Sequence, residues 1–358
     1  MFNRRNFLKY LGIGSISLSV TKNIFARIDE LDPIKGNGNQ NSQLTPSETQ
    51  RILPRALKDG SLVAIASPAS PVSAWNLANT VNLLKKNGFK VEIGPIAKNQ
   101  NNKNHYLAAT DEARATELMQ FFERQDVDAI ICARGGYGSM RILDKLDYEI
   151  IKRNPKILIG FSDLTALLNA VYAKTNIVCF HGPVGVSTID DFSLNSLKSV
   201  ITKKETLFSA KLDEMKVINE GTCEGFIQGG NLRMISSTLG TPYEIQSDDA
   251  ILFLEDVSEH AYEIDRMIMQ LLLAGKMKNI RGIVFGKFKN LNVRKSFYPN
   301  RGKTIHEVIN ELCKPLGIPL VYDFPFGHVS SKVTLPIGIK ARIDTNKKSF
   351  EILESAVS

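Results

Sequence analysis

The residues Gly160-Phe161-Ser162-Asp163 combine a reactive hydroxyl with a change of secondary structure. They follow the apolar run Lys156–Ile159 and precede Leu164-Thr165-Ala166-Leu167. A short apolar, β-branched run closed by turn residues reads as a buried strand. Asp163, with leucines and alanines spaced behind it, reads as a helix start. A serine on such a turn stands above the sheet with its hydroxyl exposed. The next backbone N–H and the helix N-terminus then face whatever the hydroxyl attacks. A serine nucleophile needs that geometry. The stretch is not G-x-S-x-G, because Leu164 stands where the second glycine would be. An N-capping serine ahead of an ordinary helix fits the same residues.

A serine hydroxyl reacts only when a base takes its proton, and the base needs an orienting group. The chain has five histidines: His105, His181, His260, His306 and His328. His105 falls in a polar loop, His260 in a turn and His306 at a helix start. His181 and His328 both end apolar runs and neighbour Gly and Pro, so either could be the base, and either could equally be a packed core imidazole. For the orienter, Glu255 emerges at the end of the apolar run Ala250–Leu254, with Asp256 and Glu259 as competitors. Arg134-Gly135-Gly136-Tyr137-Gly138 would let backbone approach a ligand closely. Its N–H groups could form half of an oxyanion hole, with the N–H of Asp163 as the other half.

The elements that must hold these groups alternate. Strands are expected at Leu62–Ser67, Lys90–Ile93, Asp128–Ala133, in the apolar run from Lys156 that leads to Ser162, and at Val178–Phe180. Helices are expected at Trp75–Asn87, Asp111–Arg124 and from Asp163 on. That alternation predicts an α/β fold with a parallel sheet covered on both faces, whose functional groups gather at the carboxyl ends of the strands. Arg134–Gly138, Ser162 and His181 all fall at such ends. A second α/β region follows. It has strands at Gly221–Gly230, Ala250–Leu254, Ile283–Phe288 and Pro319–Phe324, and helices at Asn231–Leu239, Tyr262–Leu273 and Thr304–Cys313. Val333–Ile343 with Phe350–Leu353 reads as a closing antiparallel pair. We place an N-terminal domain at 51–200 and a C-terminal domain at 215–358.

The 358 residues are enough for two domains, and 43% hydrophobic with 23% charged residues is the composition of a globular protein. The net charge of +8 is scattered, with no basic run, which argues against a nucleic-acid partner. Asn3-Arg4-Arg5-Asn6-Phe7-Leu8-Lys9 and the weakly apolar Tyr10–Val20 resemble a twin-arginine export signal covering 1–26. Residues 27–50 read as a flexible linker. An extracytoplasmic, periplasmic protein with no integral span in its mature form is expected. The four cysteines show no C-x-x-C spacing, and no zinc motif occurs. No metal and no cofactor are expected.

Arg134–Gly138, Gly160–Asp163, His181-Gly182-Pro183, Gly229-Gly230-Asn231-Leu232, Leu254-Glu255-Asp256 and Gly327-His328 resemble, in order, the motifs of the LD-carboxypeptidases. These are serine peptidases that include the microcin-immunity-type enzymes. The resemblance implies a Ser162–His328–Glu255 triad and an oxyanion hole made by the N–H groups of Gly136 and Asp163. It makes His181 and Asn231 residues that shape the site. Arg134 is a candidate reader of a substrate carboxylate. The resemblance further implies an N-terminal domain similar to class I glutamine amidotransferases, a smaller C-terminal α/β domain and a homodimer. The implied substrates are murein peptides, cut between a diamino acid and D-Ala. Immunity-type members cut an amide in a peptide–nucleotide antibiotic instead. An exported wall-peptide binding protein would share the cleft without the chemistry. An amidotransferase-like enzyme would need a cysteine where Ser162 stands.

Overall fold

The computed structural model describes residues 51–99, 105–202, 209–211, 215–289 and 303–358. The export-type segment 1–26 and the linker 27–50 lie outside the described residues. The described residues belong to one compact unit.

The first strands are β1 (Leu62–Ala66), β2 (Lys90–Ile93), β3 (Ala129–Cys132), β4 (Ile157–Gly160) and β5 (Cys179–His181). Between them run the helices Ala78–Lys86, Asp111–Glu123, Tyr148–Arg153 and Thr165–Thr175. β1, β3, β4 and β5 are almost wholly apolar and buried, as strands sandwiched between helix layers must be. β2, which reads Lys-Val-Glu-Ile, is only partly buried and forms the sheet edge. These five strands pair in parallel. The helix Asp111–Glu123 begins as its residues require: Thr110 Oγ1 accepts the Ala113 N–H at 3.2 Å, and acidic residues fill the first turn. The helix expected from Trp75 opens instead as a 3₁₀ turn, Ala74–Leu77. That turn buries Leu77 and leaves Trp75 exposed.

The later strands are β6 (Ser209–Lys211), β7 (Lys216–Asn219), β8 (Thr222–Asn231), β9 (Ala250–Glu255), β10 (Gly282–Gly286), β11 (Leu320–Phe324), β12 (Leu335–Ile337), β13 (Lys340–Asp344) and β14 (Ser349–Ile352). All but β12 form an eight-stranded sheet in the order β6-β14-β13-β8-β9-β10-β11-β7. Its centre, β8 to β11, is parallel, and antiparallel strands flank it.

The expected closing pair is divided. β13 pairs with β14, but β12 pairs antiparallel with β5 and becomes the sixth strand of the first sheet. The chain changes sheets at Gly338, whose φ of +91° is a conformation L side chains rarely adopt. A side chain there would also strike the Tyr172 ring. One apolar core joins the two sheets, with Ile159 and Phe180 from the first and Phe253, Phe324 and Phe326 from the second. Both sheets present the carboxyl ends of their parallel strands to the same place, at Ser162 and at Glu255.

Candidate active site

Ser162 follows β4 and Phe161 and opens a 3₁₀ turn, Ser162–Leu164, that runs into the helix Thr165–Thr175. Its φ is +66°, a left-handed value uncommon for a residue with a Cβ. That turn lifts the hydroxyl off the sheet. Glycine is needed at Gly160 rather than at position 164: a Cβ there would lie 2.8 Å from Leu164 Cδ1. Leu164 itself is fully buried, so the departure from G-x-S-x-G is a side chain absorbed by the core.

His328 Nε2 lies 3.1 Å from Ser162 Oγ, and His328 Nδ1 lies 2.8 Å from Glu255 Oε2. The His328 backbone N–H also points at Glu255 Oε2, at 3.3 Å. Glu255 is 0% exposed. Burial alone would raise its carboxyl, but the hydrogen bond from His328, the neighbouring imidazoles and the Asn231 amide outweigh it and hold the group below its ordinary value. An ionised carboxylate can only accept, so Nδ1 carries the proton and Nε2 faces the hydroxyl as an acceptor. Gly327 is held at φ +82°, and a Cβ there would run into the Glu255 carboxylate. The histidine reaches its partners because the residue before it has no side chain.

The glycine loop lies against the serine. A Cβ on Gly135 would stand 3.0 Å from Ser162 Cβ. Beyond Gly136 (φ +93°) the loop is clamped. The Tyr137 N–H donates to Ser70 Oγ at 3.0 Å. The N–H groups of Gly138 and Ser139 donate to the two Asp163 carboxylate oxygens at 3.3 and 2.9 Å. Ser139 Oγ donates to the Asp163 carbonyl at 2.6 Å. Arg114, fully buried, donates to the carbonyls of Pro68 and Gly138. Gly135 therefore lies against Ser162 on a braced loop, with Gly136 next in the chain and Asp163 directly after the serine.

The other predicted residues stand further off. Asn231 is buried; its Oδ1 caps the helix Leu232–Thr238, and its Nδ2 donates to Asp256 Oδ1 at 2.9 Å and Glu255 Oε1 at 3.4 Å. Asp256 also accepts the N–H groups of Arg233 and Val257, and burial beside Glu255 pushes its carboxyl up to about 6. Glu259 pairs with Arg233 rather than with a histidine. His181 is buried among the rings of Phe161, Phe253 and Phe326, and burial pushes its imidazole down to about 4. Asn231 thus contacts the triad carboxylate, whereas His181 touches the rings around the site. Arg134 is exposed, with Nη1 3.3 Å from the Pro71 carbonyl. A hollow of about 900 Å³ beside β7 and β11, lined by Lys216, Tyr322, Asp323 and Lys348, contains none of these residues. The sequence reading missed the Asp163 side chain and Lys332, the latter buried over Phe161. A lysine and two serines between a histidine and an apolar run give no periodic signal.

Residues 63–182 match the model of the LD-carboxypeptidase N-terminal domain, and residues 224–343 match that of the C-terminal domain. The chain belongs to the LD-carboxypeptidase family. LD-carboxypeptidases of this kind are serine-type hydrolases. Among relatives, the chain is 34% identical over 310 residues to the Probable murein peptide carboxypeptidase of Bacillus subtilis, covering 85% of this chain and 95% of that one. It is 28% identical over 326 residues to the Microcin C7 self-immunity protein MccF of Escherichia coli, covering 82% and 92%. A solved wild-type structure of MccF superimposes with a TM-score of 0.78 at 26% identity, over 86% of this chain and 100% of that one. The muramoyltetrapeptide carboxypeptidase of Oxalobacter formigenes gives 0.70 at 30% identity, over 82% and 99%.

Proposed function

We propose that this LD-carboxypeptidase hydrolyses murein tetrapeptides between the L-centre of the diamino acid and the terminal D-Ala. The observation that carries the reading is the continuous Ser162–His328–Glu255 relay, at 3.1 and 2.8 Å. His328 Nε2 takes the Ser162 proton as Oγ attacks the scissile carbonyl. Glu255 holds the Nδ1–H and stabilises the imidazolium without taking its proton. The oxyanion is received by the backbone N–H groups of Gly136 and Asp163. Collapse expels the D-Ala amine, which His328 protonates. Water then attacks the acyl-enzyme with the same histidine as base.

Mass spectrometry of murein tetrapeptide incubated with the protein purified from Arg27 onward tests this directly. Loss of one Ala is expected. Ser162→Ala or His328→Ala should lower the rate by roughly 10³-fold or more with circular dichroism unchanged. Wild-type turnover in Ser162→Ala would sink the triad. The similarity to MccF supports a second reading, cleavage of an amide in a peptide–nucleotide conjugate. An intact tetrapeptide, with a serine-directed fluorophosphonate still labelling Ser162, would favour it. Labelling that fails altogether would favour a binding protein. The twin-arginine-type segment at Asn3–Lys9 supports action on wall peptides outside the cytoplasm, which a reporter fused to residues 1–50 would test.

A further inference from the structure

Four residues after His328, the same loop holds a second functional group. Lys332 is 6% exposed. Its backbone N–H donates to Ser193 Oγ at 2.9 Å, that of Val333 to the Pro325 carbonyl at 2.7 Å, and that of Thr334 to Ser196 Oγ at 2.9 Å. The loop is thus pinned on both sides. Lys332 Nζ stands 4.6 Å from the centroid of the Phe161 ring. The same ring packs edge-on against the His328 imidazole at 5.0 Å, and Phe161 directly precedes Ser162. The ammonium therefore borders the Ser162–His328 pair.

Among the described residues, Nζ makes no ion pair and no hydrogen bond. Glu255 and Asp190 attract it only through space, Lys289 repels it, and burial pushes it down to about 8. A largely buried ammonium whose contact is an aromatic face is poorly compensated unless an anion arrives to face it. A peptide ending in a free amino acid brings one. A single carbon separates the scissile nitrogen from the terminal carboxylate. The histidine that protonates that nitrogen must therefore have the carboxylate close by, on the leaving-group side. Lys332 is the buried cation on that histidine's own loop, whereas Arg134 is exposed and bonded to Pro71.

We propose that Lys332 binds the free C-terminal carboxylate of the leaving D-amino acid and so makes the enzyme an exopeptidase. The inference rests on the murein carboxypeptidase reading above.

The test compares a tetrapeptide ending in D-Ala with its C-terminal amide, on wild type, Lys332→Met and Lys332→Arg. Ser162 labelling by a fluorophosphonate runs in parallel, since it needs the triad but no carboxylate. Wild type should prefer the acid. Lys332→Met should lose about 30-fold or more in kcat/KM on the acid, mainly through KM, so that the acid-to-amide ratio collapses. Labelling should persist, and Lys332→Arg should keep part of the preference. An unchanged ratio in Lys332→Met overturns the inference alone. So does an equal loss on both peptides with slowed labelling, which would mean that Lys332 acts through His328. A wild type that labels but cuts neither peptide overturns the substrate reading and this inference with it.

Discussion

His181 and Asp256 both lie in the field of Glu255 and titrate in opposing senses. The His181 imidazole, down from 6.5 to about 4, stays neutral in the fold while the unfolded chain takes up a proton. Its contribution is present above pH 6.5 and is lost as pH falls towards 4, by about 3 kcal/mol. The Asp256 carboxyl, up from 3.8 to about 6, is protonated in the fold before it is in the unfolded chain. It adds stability as pH falls over nearly the same window, by about 3 kcal/mol. The two nearly cancel in the wild type. Urea unfolding at a series of pH values should separate them. Relative to wild type, Asp256→Asn should lose stability between pH 6 and 4, and His181→Leu should gain it. Parallel profiles in all three proteins would contradict the burial of these groups. The same residue scale explains what the sequence could show. Ser162 was legible because a strand, a hydroxyl and a helix start coincide. The choice of His328 over His181 was not legible from the residues alone, because both end apolar runs beside glycine. The difference is three-dimensional: His328 faces Glu255, while His181 faces three phenylalanines.

The elements around Ser162 depend on one side chain that spans two of them. Asp163 opens the helix side of the serine turn and reaches across to the Gly138 and Ser139 N–H groups. Burial raises its carboxyl despite those bonds, so the clamp is held at a cost. Asp163→Asn has one acceptor oxygen for two donors, and its amide would meet the second N–H. We expect about 1–3 kcal/mol lower stability and a slower fluorophosphonate reaction, while the Ser162–His328 pair remains. Unchanged labelling would show that the glycine loop needs no brace. At this scale the strands and helices were largely readable, because apolar runs and glycine or proline punctuation alternate along the chain. The division of Val333–Ile343 was not, because it depends on a left-handed glycine and on a partner strand more than 150 residues earlier.

On the scale of the whole molecule, β12 ties the loop bearing His328 to the sheet bearing Ser162. The Ser358 N–H also donates to the Pro54 carbonyl at 3.0 Å, and the Ala56 N–H to the Ser358 carbonyl at 3.1 Å. The core is continuous between the sheets, so residues 51–358 should unfold in one cooperative transition by calorimetry. Two resolved transitions would mean that the sheets are separable. Truncation before Thr334 should abolish both labelling and cooperative unfolding, because it strips β12 from the first sheet and β13 and β14 from the second.

The sheet switch at Gly338 also sets an order of events during synthesis. The nucleophile and the base are 166 residues apart in the chain. Ser162, its glycine loop and β1 to β5 are complete long before Leu335–Ile337 can pair with Cys179–His181. Contacts between such distant segments form late and slowly. The growing chain carries its serine through nearly half of its synthesis without a docked base, so hydrolytic competence arrives with the last strands. In refolding from urea, recovery of fluorophosphonate labelling should lag behind recovery of far-ultraviolet circular dichroism, the interval measuring how long the serine waits for its histidine.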